Sequence, residues 1–221
     1  MIRDADVVSV CVRDAAQVGA LLDNGLVEHA TRRTVLLVHS TIGPEACRAV
    51  AERLAERGAV VLDAPVSGMR MGAEAGTLTF YVGGPDDALR RVRHGLEAMG
   101  RAVLHVGDAG AGQVVKIANN LVAFSTAGVV HEATELARRA GVDESRVIEA
   151  LAGGSGRSWV VENWSFLRHE WIDSQPGGAA AVRDIVAKDL SLATGAAAEV
   201  GMQAPFATLA ASVVPDTLGQ G

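Results

Sequence analysis

Two cysteines, one tyrosine, three tryptophans and four phenylalanines are all that 221 residues contain of those types. Each shortage excludes something. Cys11 and Cys47 fall in a predicted strand and a predicted helix with no ligand spacing around either, so both are expected to be reduced packing residues, in a chain of the cytoplasm. With few rings to stack bases, no basic run and a net charge of −6, nucleic acid is not an expected partner. The six histidines are scattered, and His131-Glu132 is not followed by the second histidine that a zinc-binding helix needs, so no metal is expected. Met1-Ile2-Arg3-Asp4 leads into a short strand-like run rather than a signal peptide. No membrane span is expected either, because the longest apolar run is broken by Lys116, Asn119 and Asn120. Finally, no G-x-G-x-x-G follows a predicted strand, since Gly107, Gly110 and Gly112 precede a helix at the wrong spacing.

What is present is a globular composition, 49% apolar and 21% charged, enough for one or two domains. β-branched runs at Asp6–Val12, Thr34–His39 and Ala59–Leu62 read as buried strands, each but the last followed by a helical segment. Thr77–Val82 and Arg101–Val106 read as two more strands, flanking a helix opened by Pro85-Asp86-Asp87. Alternation of this kind predicts a doubly wound parallel sheet whose ligand lies at the carboxyl ends of the strands. From Ala111 onward the pattern is helical: a long helix to about Ala140, then Asp143–Leu151, Trp159–Arg168, Ala179–Val200 and Ala204–Val213.

The stretch Gly107–Phe124, GDAGAGQVVKIANNLVAF, carries the chemistry. Glycines deliver a helix that is apolar on nearly every side and so is expected to be buried on most of them. Lys116, Asn119 and Asn120 share one face of it, near the helix start. Burial and the positive end of the helix dipole would both lower the ammonium pKa, as acid–base work at neutral pH requires. The alternative is a lysine whose head reaches solvent. At the third strand's end, Ser67 and Gly68 could hold a carboxylate with backbone N–H groups and a hydroxyl, or form an ordinary turn. Thr41 could face a ligand or cap the next helix. Trp159 and Trp164 read as core.

GAGQVVKIANNLV resembles the catalytic-helix signature of the β-hydroxyacid dehydrogenases, and DAPVSGMRMGAEAGTLTFYVGG, Asp63–Gly84, is similar to that family's substrate-binding segment. The resemblance implies a partial Rossmann-type doubly wound parallel sheet over residues 1–109 and an all-α domain over 110–221 for substrate binding and dimerisation. It implies Lys116 as the catalytic acid–base group, Ser67, Gly68, Asn119 and Asn120 against the substrate, and Thr41, Arg13 and Lys188 (in the segment KDLSLA) against the cofactor. That cofactor is NAD or NADP. The implied reaction interconverts a small 3-hydroxy acid and its semialdehyde, in a homodimer or higher oligomer. Relatives place a second glycine where Met69 stands, so the substrate range is open to change there. They also begin with two β-α units, roughly 60 residues, that bear the pyrophosphate loop; this chain is therefore expected to start just after them and to have little activity alone. Two other readings stay open: an imine-reducing relative, which Lys116 disfavours, and a non-catalytic binding or dimerisation remnant.

Overall fold

A computed structural model describes residues 5–218, which divide into two compact units, one up to Ile117 and the other from Ala118 on.

The first unit is a six-stranded sheet with helices on both faces. In chain order it comprises β1 (Val7–Val10), α1 (Ala15–Leu21), α2 (Val27–His29), β2 (Val35–Val38), α3 (Pro44–Ala55), β3 (Val60–Asp63), β4 (Val66–Ser67), α4 (Met69–Glu74), β5 (Leu78–Gly83), α5 (Asp86–Met99) and β6 (Gly100–Gly107). Between α1 and α2 the chain turns at Gly25, whose φ of 101° a side chain would resist. Strands β1, β2 and β3 lie parallel in that order, with Val10 beside Val38 and Val38 beside Asp63, so their carboxyl ends are level. All four residues of β2 are buried, as a central strand covered on both faces demands. Its alternation feeds two cores. Leu36 and Val38 pack with Val18, Leu22, Val50 and Leu54 on one face, while Val35 and Leu37 pack with Phe80, Leu89, Val92 and Leu96 on the other.

The sheet is not parallel throughout. β5 runs antiparallel to both β3 and β4 and parallel to β6, so parallel pairing dominates without being uniform. The reason lies in the connection: no helix long enough for a parallel return separates β4 from β5, only the six residues of α4.

The second unit is helical. Helix α6 (Ala111–Arg139) enters it from the first, followed by α7 (Glu144–Gly153), α8 (Trp159–Glu162), a π-helical turn (Phe166–Glu170), α9 (Trp171–Ser174), α10 (Gly178–Glu199) and α11 (Pro205–Leu218). The expected Trp159–Arg168 helix is thus broken after Glu162. Trp164 is core, as expected, but Trp159 is exposed. Phe124 stacks on Trp171 with ring centroids 6.2 Å apart. Helix α11 runs on through Pro215, past the end at Val213 that a proline predicts; Pro215 is buried there. Among the described residues no helix is long and apolar enough to cross a membrane.

Helix α6 departs from the expectation of burial on most sides. Within this unit Asn120, Ala127, Val130 and Thr134 are buried, while Val122, Val129 and Leu136 stand 67%, 65% and 72% exposed.

Candidate active site

Three loops leave the level carboxyl ends of β1, β2 and β3, and side chains tie them together. Beyond β1, the Val12 N–H donates to Ser40 Oγ at 2.7 Å, joining the first loop to the second. Arg13 and Thr41 sit on these two loops, Arg13 exposed and Thr41 half-buried. Thr41 is not the cap of α3. Gly43 occupies that position with φ 90°, which excludes Thr41's competing structural role.

At the end of β3, Asp63 is wholly buried and its carboxylate receives the start of α6: Gly110 N–H donates to Oδ1 at 2.8 Å and Gln113 N–H to Oδ2 at 2.9 Å. A carboxylate at a helix N-terminus satisfies donors that have no partner within the helix and complements the dipole. Burial nevertheless pushes the Asp63 carboxyl above its ordinary range, against the pull of those N–H groups. Gly112 is required by the same contact, because a Cβ there would lie 2.7 Å from Asp63 Oδ2 and against the Tyr81 carbonyl. This anchoring ties the first turn of α6 to the sheet, within the compact unit that runs to Ile117.

Gln113 extends the network. Its side-chain Oε1 accepts from Ile42 N–H at 2.9 Å and Gly43 N–H at 3.2 Å, and its Nε2 donates to the Ser40 carbonyl at 3.0 Å. Lys116 follows on the same helix, half-buried. Neither Asp63 nor Gln113 stood out as a site residue in the sequence, although Asp63 opens one of the two family-like segments and Gln113 lies inside the other.

Ser67 is less free than a simple turn would leave it. It pairs with Thr79 in a short antiparallel bridge, and the turn begins at Gly68, whose φ is 129°. Met69 follows with φ 55°, the one side-chain-bearing residue with positive φ among the described residues. A methionine held in the left-handed region is strained by about 1–2 kcal/mol.

In the second unit, Asn119, Asn120 and Lys188 come together around a residue the sequence reading passed over. Asp189, on α10, is buried; its Oδ2 accepts from Asn120 Nδ2 at 2.6 Å and its Oδ1 pairs with Lys188 Nζ at 2.5 Å. Asn119 Nδ2 in turn donates to Asn120 Oδ1 at 3.1 Å. Cys47 is buried as expected, and burial pushes its thiol up, whereas Cys11, just past the end of β1, is exposed. No cluster of His, Cys, Asp and Glu among the described residues could hold a metal ion.

Residues 1–107 match the family described as the NAD binding domain of 6-phosphogluconate dehydrogenase, and residues 110–221 that described as NAD-binding of NADP-dependent 3-hydroxyisobutyrate dehydrogenase. The chain belongs to the β-hydroxyacid dehydrogenase family. It is 38% identical to an NAD-dependent L-serine dehydrogenase of Pseudomonas aeruginosa, covering 100% of this chain and 76% of that protein. To a 3-hydroxyisobutyrate dehydrogenase of the same organism it is 39% identical over 85% of this chain and 64% of that protein. A solved 3-hydroxyisobutyrate dehydrogenase from Salmonella typhimurium superposes with a TM-score of 0.85 at 29% identity, over 98% of this chain and 75% of that one. The β-hydroxyacid dehydrogenases are NAD(P)-dependent oxidoreductases of hydroxy acids, and a parallel-dominated Rossmann-type sheet followed by helices is their architecture.

The residues of this dehydrogenase fit such a cofactor. A guanidinium at Arg13 and a hydroxyl at Thr41, on the carboxyl ends of adjacent parallel strands, are the donors that phosphate and ribose oxygens require.

Proposed function

We propose that this chain interconverts a small 3-hydroxy acid and its semialdehyde, with NAD or NADP as redox partner and Lys116 as the acid–base group. When bound, the nicotinamide supplies the hydride acceptor in one direction and the donor in the other. Lys116 Nζ takes the proton of the substrate hydroxyl during oxidation and returns it during reduction, a task that favours an ammonium pKa drawn toward neutrality. An amide carries two N–H donors. Asp189 takes one of Asn120's, and the other is assigned to the reacting oxygen, with Asn119 supporting the amide from behind. Ser67 and Gly68 anchor the substrate carboxylate; Thr41, Arg13 and Lys188 serve the cofactor.

The observation that carries this reading is the placement of Lys116 and Asn120 one turn apart on α6, with Asn120 fixed by a buried carboxylate. The names of the relatives support the substrate class. L-Serine and 3-hydroxyisobutyrate share a primary alcohol on the carbon next to the one that bears the carboxylate, which is the span a lysine and a carboxylate anchor would measure. Lysine at position 116, which can exchange its proton, favours this reading over imine reduction.

A homodimer is part of the proposal, built on the apolar residues that α6 and α11 leave exposed. So is a cytoplasmic location, which two free thiols support.

Lys116→Ala, made in a full-length version that carries the pyrophosphate loop, tests the chemistry: turnover should fall by about 10²–10⁴ with cofactor affinity unchanged. Lys116→Arg should be as inactive, because arginine keeps the charge but cannot release the proton. More than a tenth of the activity surviving in either variant would remove Lys116 from the role. For the anchor, kcat/KM should collapse when the acid is replaced by its amide or methyl ester.

A further inference from the structure

Gln113 is a wholly buried amide whose three described side-chain hydrogen bonds all go to one loop, and they enclose one residue. Thr41 lies between the Ser40 carbonyl, which accepts from Gln113 Nε2, and the Ile42 N–H, which donates to Gln113 Oε1. The amide thus grips the backbone on both sides of Thr41, as a neighbouring strand would. Its own main-chain N–H is held by Asp63, and Lys116 follows within one turn of the same helix. A shape-filling role would be met by leucine or methionine, which occupy a similar volume without burying two polar atoms. Here Oε1 and one N–H of Nε2 are both used, and both are spent on the loop.

We propose that Gln113 is a positioning residue: it sets the Thr41 loop in register with the start of the helix that bears Lys116, and so governs how tightly the nicotinamide cofactor is held. The inference rests on the reading of Thr41 as a cofactor-side residue and goes beyond it by naming what fixes that loop. Asp63 supplies the other half of the device, because its two helix-start bonds keep Gln113 from sliding along the helix axis.

Replacement by glutamate provides the test, since the acid keeps the shape and makes the donor titratable. Protonated, the carboxyl donates to the Ser40 carbonyl and accepts from Ile42 and Gly43; ionised, it turns an acceptor toward that carbonyl and breaks the grip. Gln113→Glu should therefore bind NADH or NADPH like the wild type at low pH and at least about tenfold more weakly once the new carboxyl ionises. The wild type should show no such step. Calorimetric titration between pH 5 and 9 reads this without turnover, while the KM for the hydroxy acid should move much less than that for the cofactor. Cofactor affinity that follows the wild type across the whole range, in a variant that melts cooperatively, would overturn the proposal. Should the variant not fold, amide exchange in the unaltered protein decides: the Ile42 and Gly43 N–H groups should be protected like sheet amides, and exchange at loop rates would overturn the grip. Thr41→Ala separates the two levels. Wild-type cofactor affinity in that variant would remove Thr41 from the cofactor reading, whereas the pH step in Gln113→Glu reports on the grip itself.

Discussion

Asn120 donates to the Asp189 carboxylate at 2.6 Å, and the second oxygen of that carboxylate pairs with Lys188 at 2.5 Å, so one buried acid orients a proposed substrate ligand and a proposed cofactor ligand together. Asp189→Ala removes a charged acceptor from both. It should cost about 1–3 kcal/mol through the desolvated groups left behind, and in kinetics it should raise the KM of both substrates. Asp189→Asn should recover part of the stability, since one amide oxygen can still accept from Asn120. Urea unfolding with unchanged m-values checks the first statement; initial-rate kinetics check the second.

Gly112 and Gly95 make opposite forecasts from one substitution. Gly112→Ala would drive a Cβ to 2.7 Å from Asp63 Oδ2 and 3.0 Å from the Asp63 carbonyl, and main chain cannot swing aside. A loss of about 1–3 kcal/mol is expected from overpacking. Gly95, in the middle of α5, has nothing within 4 Å of its would-be Cβ. Alanine there should stabilise by roughly 0.5–1 kcal/mol through lower entropy of the unfolded chain. Thermal melts of the pair measure both.

Val122, Val129 and Leu136 recur every seven residues on α6, and Phe206, Leu209 and Val213 form a second exposed apolar row on α11. Phe206 is 82% exposed. Such rows mark surfaces that associate. Light scattering at micromolar concentration should give at least a dimer, and Val129→Asp should shift it toward monomer. A wild-type monomer under those conditions would end the proposal.

Two groups make stability depend on pH in the same direction. Arg138 and Arg139 hold the Glu135 carboxyl at about 2, below its ordinary 4.5, so the stability it adds is complete above 4.5 and is lost as pH falls toward 2. The pair is exposed and screened. Glu135→Gln should therefore blunt acid sensitivity in that window at low salt, and the difference should vanish near 1 M salt. His39 acts at higher pH. Burial holds its imidazole below the usual 6.5, and its Nδ1 donates to the Ala64 carbonyl at 2.8 Å, so its contribution is complete above 6.5 and falls as the pH drops further. Melting temperatures at pH 7.5, 6.5 and 5.5 should decline, and less steeply in His39→Gln.

Much of the architecture was legible because its signals are local. The β-branched runs placed β1, β2 and β3, and the glycine-free stretch between Gly112 and Gly128 marked α6, whose expected end at about Ala140 lies one residue past Arg139. The segment from Val66 to Glu74 was illegible as β4 and α4, since two strand residues and six helical ones with Gly72 inside carry no periodicity. For the site, the family resemblance supplied Lys116, Asn120 and Lys188. It did not supply Asp63, Gln113 or Asp189, because their roles exist only through partners 47 to 73 residues away. A spacing rule reads neighbours on one helix or strand; it cannot read a bond closed by the fold. Exposure misled in the same way: Cys11 looked like packing because the β-branched run around it did, yet it lies just past the end of β1 and is exposed.

Met69 bears on how this chain could change over generations. Its left-handed backbone costs the folded state about 1–2 kcal/mol relative to glycine, while glycine would loosen the unfolded chain by roughly 0.4–1 kcal/mol. The second offsets about half of the first, leaving a difference on the order of 1 kcal/mol. Position 69, next to the turn assigned to the substrate carboxylate, can therefore exchange methionine and glycine with little effect on whether the protein folds. Selection on which acids are accepted would act there only weakly opposed by selection on stability, which makes this turn a natural point for substrate preference to drift.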